Sequence, residues 1–129
     1  MYREYKPNVL VPKTNDQLFS QMKLHIIGTS THYLSKNKQG QLSFFVKDGM
    51  LRTFYKPNCI ELVNEYEDQS GGLSRKGLIN MLNHLEEALK KRKTILYADL
   101  FVDYEADENG ELAYLELIIR TQEHFASIL

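Results

Sequence analysis

The stretch FVDYEADENGELAYLEL, residues 101–117, decides the fold class. It reads as two strands about a tight turn. Asn109-Gly110 is a two-residue hairpin signal, because both central positions want positive φ. Counting outward from that turn, Leu100, Val102 and Tyr104 meet Ile119, Leu117 and Leu115, giving one wholly apolar face. A slip of one residue would put Glu116 among them, so burial pins the register. The same count sets Phe101 opposite Ile118, Asp99 opposite Arg120, Glu105 opposite Tyr114, and Asp103 opposite Glu116. Like charges directly across a strand pair destabilise it, so the last pair calls for a reason.

Upstream, QLSFFVK and MLRTFYK flank Asp48-Gly49, a second hairpin signal. A two-residue turn there makes Val46 meet Leu51, Phe44 meet Thr53 and Leu42 meet Tyr55. Phe45, Met50, Arg52 and Phe54 then take the other face. TSTHYL (29–34) is β-prone and would complete a three-strand meander. NVLV (8–11) could form a short strand that Pro7 and Pro12 confine to an edge. Thr14 with Gln17 makes a capping box. Leu18, Phe19, Met22 and Ile26 follow at helical spacing and Gly28 is a natural stop, which predicts a helix at about 15–27. SRKGLINMLNHLEEALKKRK is the clearest helix. Ser74 is its cap, Leu78, Leu82, Leu85 and Leu89 its buried stripe, and Met81 and Ala88 widen that stripe. CIELVNEY (59–66) fits a helix and a strand nearly equally, and Phe125, Ile128 and Leu129 suit a short docked turn.

Helices interspersed with antiparallel hairpins predict a single α+β domain over residues 1–129. The expected sheet is antiparallel, of about five strands (meander plus C-terminal hairpin), with a long helix and a shorter N-terminal helix. This order of elements looks like the secretion-chaperone fold. The resemblance implies a small cytosolic dimer.

Composition narrows the function classes. Sixteen basic residues against seventeen acidic give almost no net charge, so binding to nucleic acid or a membrane through bulk charge is not expected. The one cysteine, Cys59, excludes an internal disulfide and a multi-cysteine zinc site. No apolar run reaches transmembrane length, and MYREYKPNVLVP lacks a signal-peptide core, so the expected location is the cytoplasm. No GxSxG, CxxC or GxGxxG occurs, His25, His32, His84 and His124 do not converge in sequence, and no cofactor is expected.

Two constellations carry a functional expectation. The final hairpin offers Tyr97, Phe101, Leu112, Tyr114 and Ile118, with Ile95, on the face left after its core face is filled, with Asp103 and Glu116 among them. Phe45, Met50 and Phe54 do the same for the first hairpin. Large apolar patches with acids at the rim resemble an interface. This predicts a non-catalytic protein-binding module (an adaptor, inhibitor or chaperone-like protein), homodimeric and acting on a protein partner, with Asp103 and Glu116 facing a basic surface. In SGGLSRKG (70–77), Ser74, Arg75 and Lys76 open the long helix, where cations oppose the dipole and a bound anion would relieve the mismatch. With the hairpin acids Asp99, Asp103, Glu105 and Glu116, that loop motivates the alternative of a small metal-dependent hydrolase or phosphate-ligand-binding enzyme.

Overall fold

The computed structural model describes residues 12–58, 60, 62–63 and 71–121. Helix α1 spans Asp16–Gly28, strands β1 and β2 span Gln39–Lys47 and Met50–Tyr55, helix α2 spans Arg75–Lys90, and strands β3 and β4 span Tyr97–Ala106 and Leu112–Arg120. The fold is α+β, with one antiparallel sheet of four strands in the order β2-β1-β3-β4. The expected strand at 8–11, the tail turn and most of the ambiguous segment 59–66 lie outside the described residues; residues 60, 62 and 63 of that segment are in neither helix nor strand.

Among the described residues the sheet has four strands, not about five, because residues 29–34 are no strand. Thr29 is the C-cap of α1 and Ser30–Leu34 forms a π-helical turn. The hydroxyls decide this against β-propensity. Thr29 Oγ1 donates to Ile26 O at 3.1 Å, Ser30 Oγ to Ile27 O at 2.8 Å, and Ser35 Oγ to Thr31 O at 3.1 Å, bonds available only to a coiled backbone. Gly28 ends α1 as expected, and the chain goes on through Thr29 into the π-helical turn and not into a strand.

The capping box at Thr14 and Gln17 does not form either. Asn15 is the N-cap residue, yet its side chain makes no cap bond. It is 3% exposed and reaches across the molecule. Its Nδ2 donates to Leu89 O at 2.9 Å, Lys93 O at 3.1 Å and Arg92 O at 3.3 Å, and its Oδ1 accepts from Ile95 N at 2.8 Å. One amide thus ties the end of α2 and the residues after it to the start of α1, and fixes the lead into β3.

The core lies between the two helices and one face of the sheet. Leu18, Met22 and Ile26 of α1 and Met81, Leu85 and Leu89 of α2 pack with Leu42, Phe44 and Val46 of β1 and Leu100, Val102 and Tyr104 of β3, all essentially inaccessible. Leu78 is half-buried, at the rim of the predicted stripe.

Each hairpin carries a bulge that the sequence count missed. In the first, Asp48 (φ 57°) and Gly49 (φ 77°) form the expected turn, and Val46 meets Leu51. Arg52 is then an extra residue, so Phe44 meets Phe54 and not Thr53, and Ser43 meets Tyr55. Phe54 is thereby turned to the core side. It stacks on Phe44 at 5.1 Å between centroids, with His25 on it at 5.1 Å.

In the second hairpin the turn is not centred on Asn109-Gly110. Asp107–Gly110 is the turn, with Glu108 and Asn109 central and Gly110 following at φ 80°. The Asp107 carboxylate holds it there, accepting from Asn109 N at 2.8 Å and Glu111 N at 2.9 Å. That longer loop slips the pairing by one residue. Ala113, an extra residue on β4, slips it back. The register beyond is the predicted one, from Glu105 with Tyr114 to Asp99 with Arg120.

Candidate functional site

Strand alternation sends every second side chain of β1 and β3 away from the helices. Gln41, Ser43 and Phe45 of β1 thus share an outer face with Asp99, Phe101 and Asp103 of β3. Register adds Glu116, Ile118 and Arg120 of β4. Both helices pack on the inner face, and among the described residues no helix or strand lies over the outer one.

The outer face is organised, not merely wet. Phe45 and Tyr97 meet edge to face, 5.3 Å between centroids. The Arg120 guanidinium carbon sits 4.8 Å from the centroid of Phe101, a cation–π contact. Phe101 lies directly across from Ile118. Arg120 is opposite Asp99 as expected, but the two make no ion pair. Among the described residues the pairs within 4.0 Å are Arg52–Asp48, Lys76–Glu111 and Lys90–Glu86. Asp99 therefore stands beside the aromatic patch without an ion-pair partner among the described residues.

Asp103 and Glu116 do sit across from each other. Each has its own neutral donor. Gln41 Nε2 donates to Asp103 Oδ1 at 2.7 Å, and the Tyr114 hydroxyl donates to Glu116 Oε1 at 2.8 Å. Amide and phenol hydrogen bonds make the two carboxylates compatible without cancelling either charge. The Tyr114 hydroxyl registers the field: its pKa is pushed up first by the bond to Glu116, then by desolvation and by the charges of Glu116 and Asp103. Among the described residues no three His, Cys, Asp or Glu side chains are placed to hold a metal ion together.

Two residues expected on this face are elsewhere. The Ala113 bulge puts Leu112 opposite Ala106, on the core side, where it packs against the buried cluster. Ile95, 8% exposed, is core. Tyr97 and Tyr114 are about half-exposed, and Phe101 and Ile118 are partly shielded by their neighbours.

At the start of α2, Ser74 caps the helix as expected, accepting from Gly77 N at 3.1 Å. The tip of the second hairpin docks there. Gly110 O accepts from Ser74 N at 2.8 Å and from Ser74 Oγ at 3.0 Å. Lys76 Nζ lies 4.0 Å from Glu111 Oε2. Arg75 points a different way, onto a groove between the helices that sequence reasoning did not find. The exposed Ile27 and Ile79 that flank it were the available signal. The partnership of Gln41 with Asp103 was also missed, because it depends on β1 lying beside β3, which no local turn announces.

No helix of the described residues is long and apolar enough to cross a membrane. Comparison with protein-family models, with curated proteins and with solved structures finds no match for this chain.

Proposed function

We propose that this chain is a non-catalytic protein-binding module, an adaptor, inhibitor or chaperone-like protein, that works in the cytoplasm as a homodimer of single α+β domains and engages a protein partner through the outer face of its sheet. The observation that carries this reading is that face itself. Aromatic and aliphatic side chains (Phe45, Tyr97, Phe101 and Ile118) adjoin carboxylates at Asp99, Asp103 and Glu116 that no ion pair neutralises. An apolar centre with charged margins is how interfaces combine affinity with partner choice. Asp103 and Glu116 tolerate each other through Gln41 and Tyr114. They become favourable against a basic surface. Burying Phe101 and Ile118 completely is worth about 3–5 kcal/mol. Most of that is already realised in the free chain, so the Phe45–Tyr97 pair must join them for stable association.

Sedimentation at micromolar concentration tests the homodimer, with wild type beside Phe101→Lys. The expected result is a dimer for wild type and a folded monomer for the variant. A strictly monomeric wild type, or a variant that unfolds instead of dissociating, removes the basis of the reading.

A further inference from the structure

On the opposite side of the molecule, α1 and α2 run side by side and are tied together at both ends. Asn15 Nδ2 bonds Leu89 O at 2.9 Å at one end, and Leu73 N donates to Leu34 O at 2.8 Å at the other. Between the ties the helices part, leaving a groove of about 630 Å³, a volume typical of small-molecule sites. Its floor is Leu34, Leu73, Leu78 and Leu82. Ile27 and Ile79 form its walls and remain 45% and 49% exposed. The charged side chains lining it are Lys23 and Arg75, both cationic, and no acid lines it among the described residues. The rest of the rim is hydroxyl and amide, including Ser30 and Thr31 of the π-helical turn.

We propose that this groove binds an anionic amphiphile, a molecule with an aliphatic chain and a carboxylate or phosphate head. The chain lies on the leucine floor and the head meets Arg75 at one end of the groove or Lys23 farther along it. Three observations select this class. The floor has no polar side chain to hydrogen-bond a polar ligand body. The charge of the rim is of one sign, which selects an anion and rejects a cation. The backbone bond between Leu73 and Leu34 closes one end, and a side chain on Gly72 would meet Leu34 O at 2.2 Å, so that wall is tight. A groove closed at one end, with Arg75 beside the closure, holds the end of a short amphiphile better than a helix that must pass through. The expectation that Ser74 and Arg75 serve an anion is thereby given a place and a partner: Ser74 is occupied by Gly110, whereas Arg75 looks onto the groove.

The site is on the face opposite the proposed dimer surface, so either proposal can fail alone. The test uses the full chain, titrated with dodecanoate and with dodecyl phosphate below micelle formation, followed by calorimetry and by methyl NMR of Ile27 and Ile79. Inorganic phosphate and dodecyltrimethylammonium are the controls. Saturable binding of one or both anionic amphiphiles, with shifts at both isoleucines and none for the controls, is expected; which head binds more tightly identifies carboxylate or phosphate. Lys23→Glu with Arg75→Glu, both at exposed positions, should weaken binding by about tenfold while leaving the melting temperature near wild type. Equal binding of the cationic amphiphile, shifts confined to the sheet face, no binding at all, or binding only of an acidic amphipathic peptide would overturn the proposal.

Discussion

Replacing Asn15 by alanine removes four hydrogen bonds that no neighbouring group can take over. The amide is 3% exposed and spans the carbonyls of Leu89, Arg92 and Lys93 and the N–H of Ile95. The bonds to Arg92 and Lys93 are only partly buried, and water can replace them. The Ile95 N–H is buried and costs about 1–3 kcal/mol when left unsatisfied, and the Leu89 carbonyl, which keeps its backbone bond from Arg92 N, loses one buried bond worth about 0.5–1.5 kcal/mol. The expected loss is therefore about 2–4 kcal/mol, a large part of the stability of an ordinary domain and roughly 10 °C in melting temperature. Urea unfolding at neutral pH measures it. Asn15→Asp makes the argument sharper. It keeps the acceptor for Ile95 but turns a carboxylate toward three carbonyls at the end of α2, where the helix dipole also opposes negative charge. At neutral pH it should be no more stable than the alanine variant. Its carboxyl should take up a proton more readily in the folded than in the unfolded chain. The protonated form then restores one donor, so the variant should gain stability as pH falls and lose it as pH rises through the raised folded value. A loss below about 1 kcal/mol for alanine, or wild-type stability for aspartate at neutral pH, would refute the bridging role.

A Cβ on Gly77 would stand 2.3 Å from Gly110 O, so Gly77→Ala should force the hairpin tip off α2 and cost about 1–3 kcal/mol, whereas Gly28→Ala, with nothing within 4 Å and a helical backbone, should stabilise by about 0.5–1 kcal/mol in the same melting experiment. Tyr114 should ionise above 10.0 in an ultraviolet pH titration, and Glu116→Gln should bring it back down by removing the charge and leaving only a weaker, neutral acceptor for the hydroxyl. Because the folded chain holds that phenolic proton more tightly, the contribution of the bond is complete below the ordinary tyrosine value and is lost as pH rises through the raised one.

What could be read in advance depended on whether a residue's partner is local. The register of β3 with β4 was legible because a buried apolar face tolerates no slip, and it came out right even though the turn did not. The turn failed because Asp107, two residues before Asn109, captures the backbone with its own carboxylate, and an Asn-Gly pair does not announce that competition. Ala113 then restored the alternation, hiding the error from any count made farther along the strand. Residues 29–34 failed for a related reason: threonine and tyrosine favour strands on average, yet the threonine and serine hydroxyls here also bond back along a helix already under way. Asn15 was invisible because its partners lie 74 to 80 residues ahead, and a capping motif at Thr14 offered an easier local reading. The outer face was legible in outline. Leu112 was misplaced by the same bulge, and the tie between Gln41 and Asp103 required the strand order.

The two bulges also bear on how copies of this chain can meet. Arg52 lies on β2 and Ala113 on β4, and these are the two edge strands of the sheet. A bulge bends and twists an edge, which disfavours its pairing with the edge of another molecule. The bulges therefore weigh against a dimer built by continuing the sheet. The sheet's outer face has no such guard. Its aromatic and aliphatic residues are on the two central strands, β1 and β3, and on the adjoining part of β4, where the pairing from Asp99 with Arg120 to Glu105 with Tyr114 runs without interruption. Association across that face would set Phe45, Tyr97, Phe101 and Ile118 at the centre of the contact. Asp103 and Glu116 lie beside that centre on the same uninterrupted ladder, held by Gln41 and Tyr114, so a second copy that brings only its own acids would meet like charge there. A face of this kind favours a self-contact that slides those acids apart, or a partner that supplies the missing positive charge.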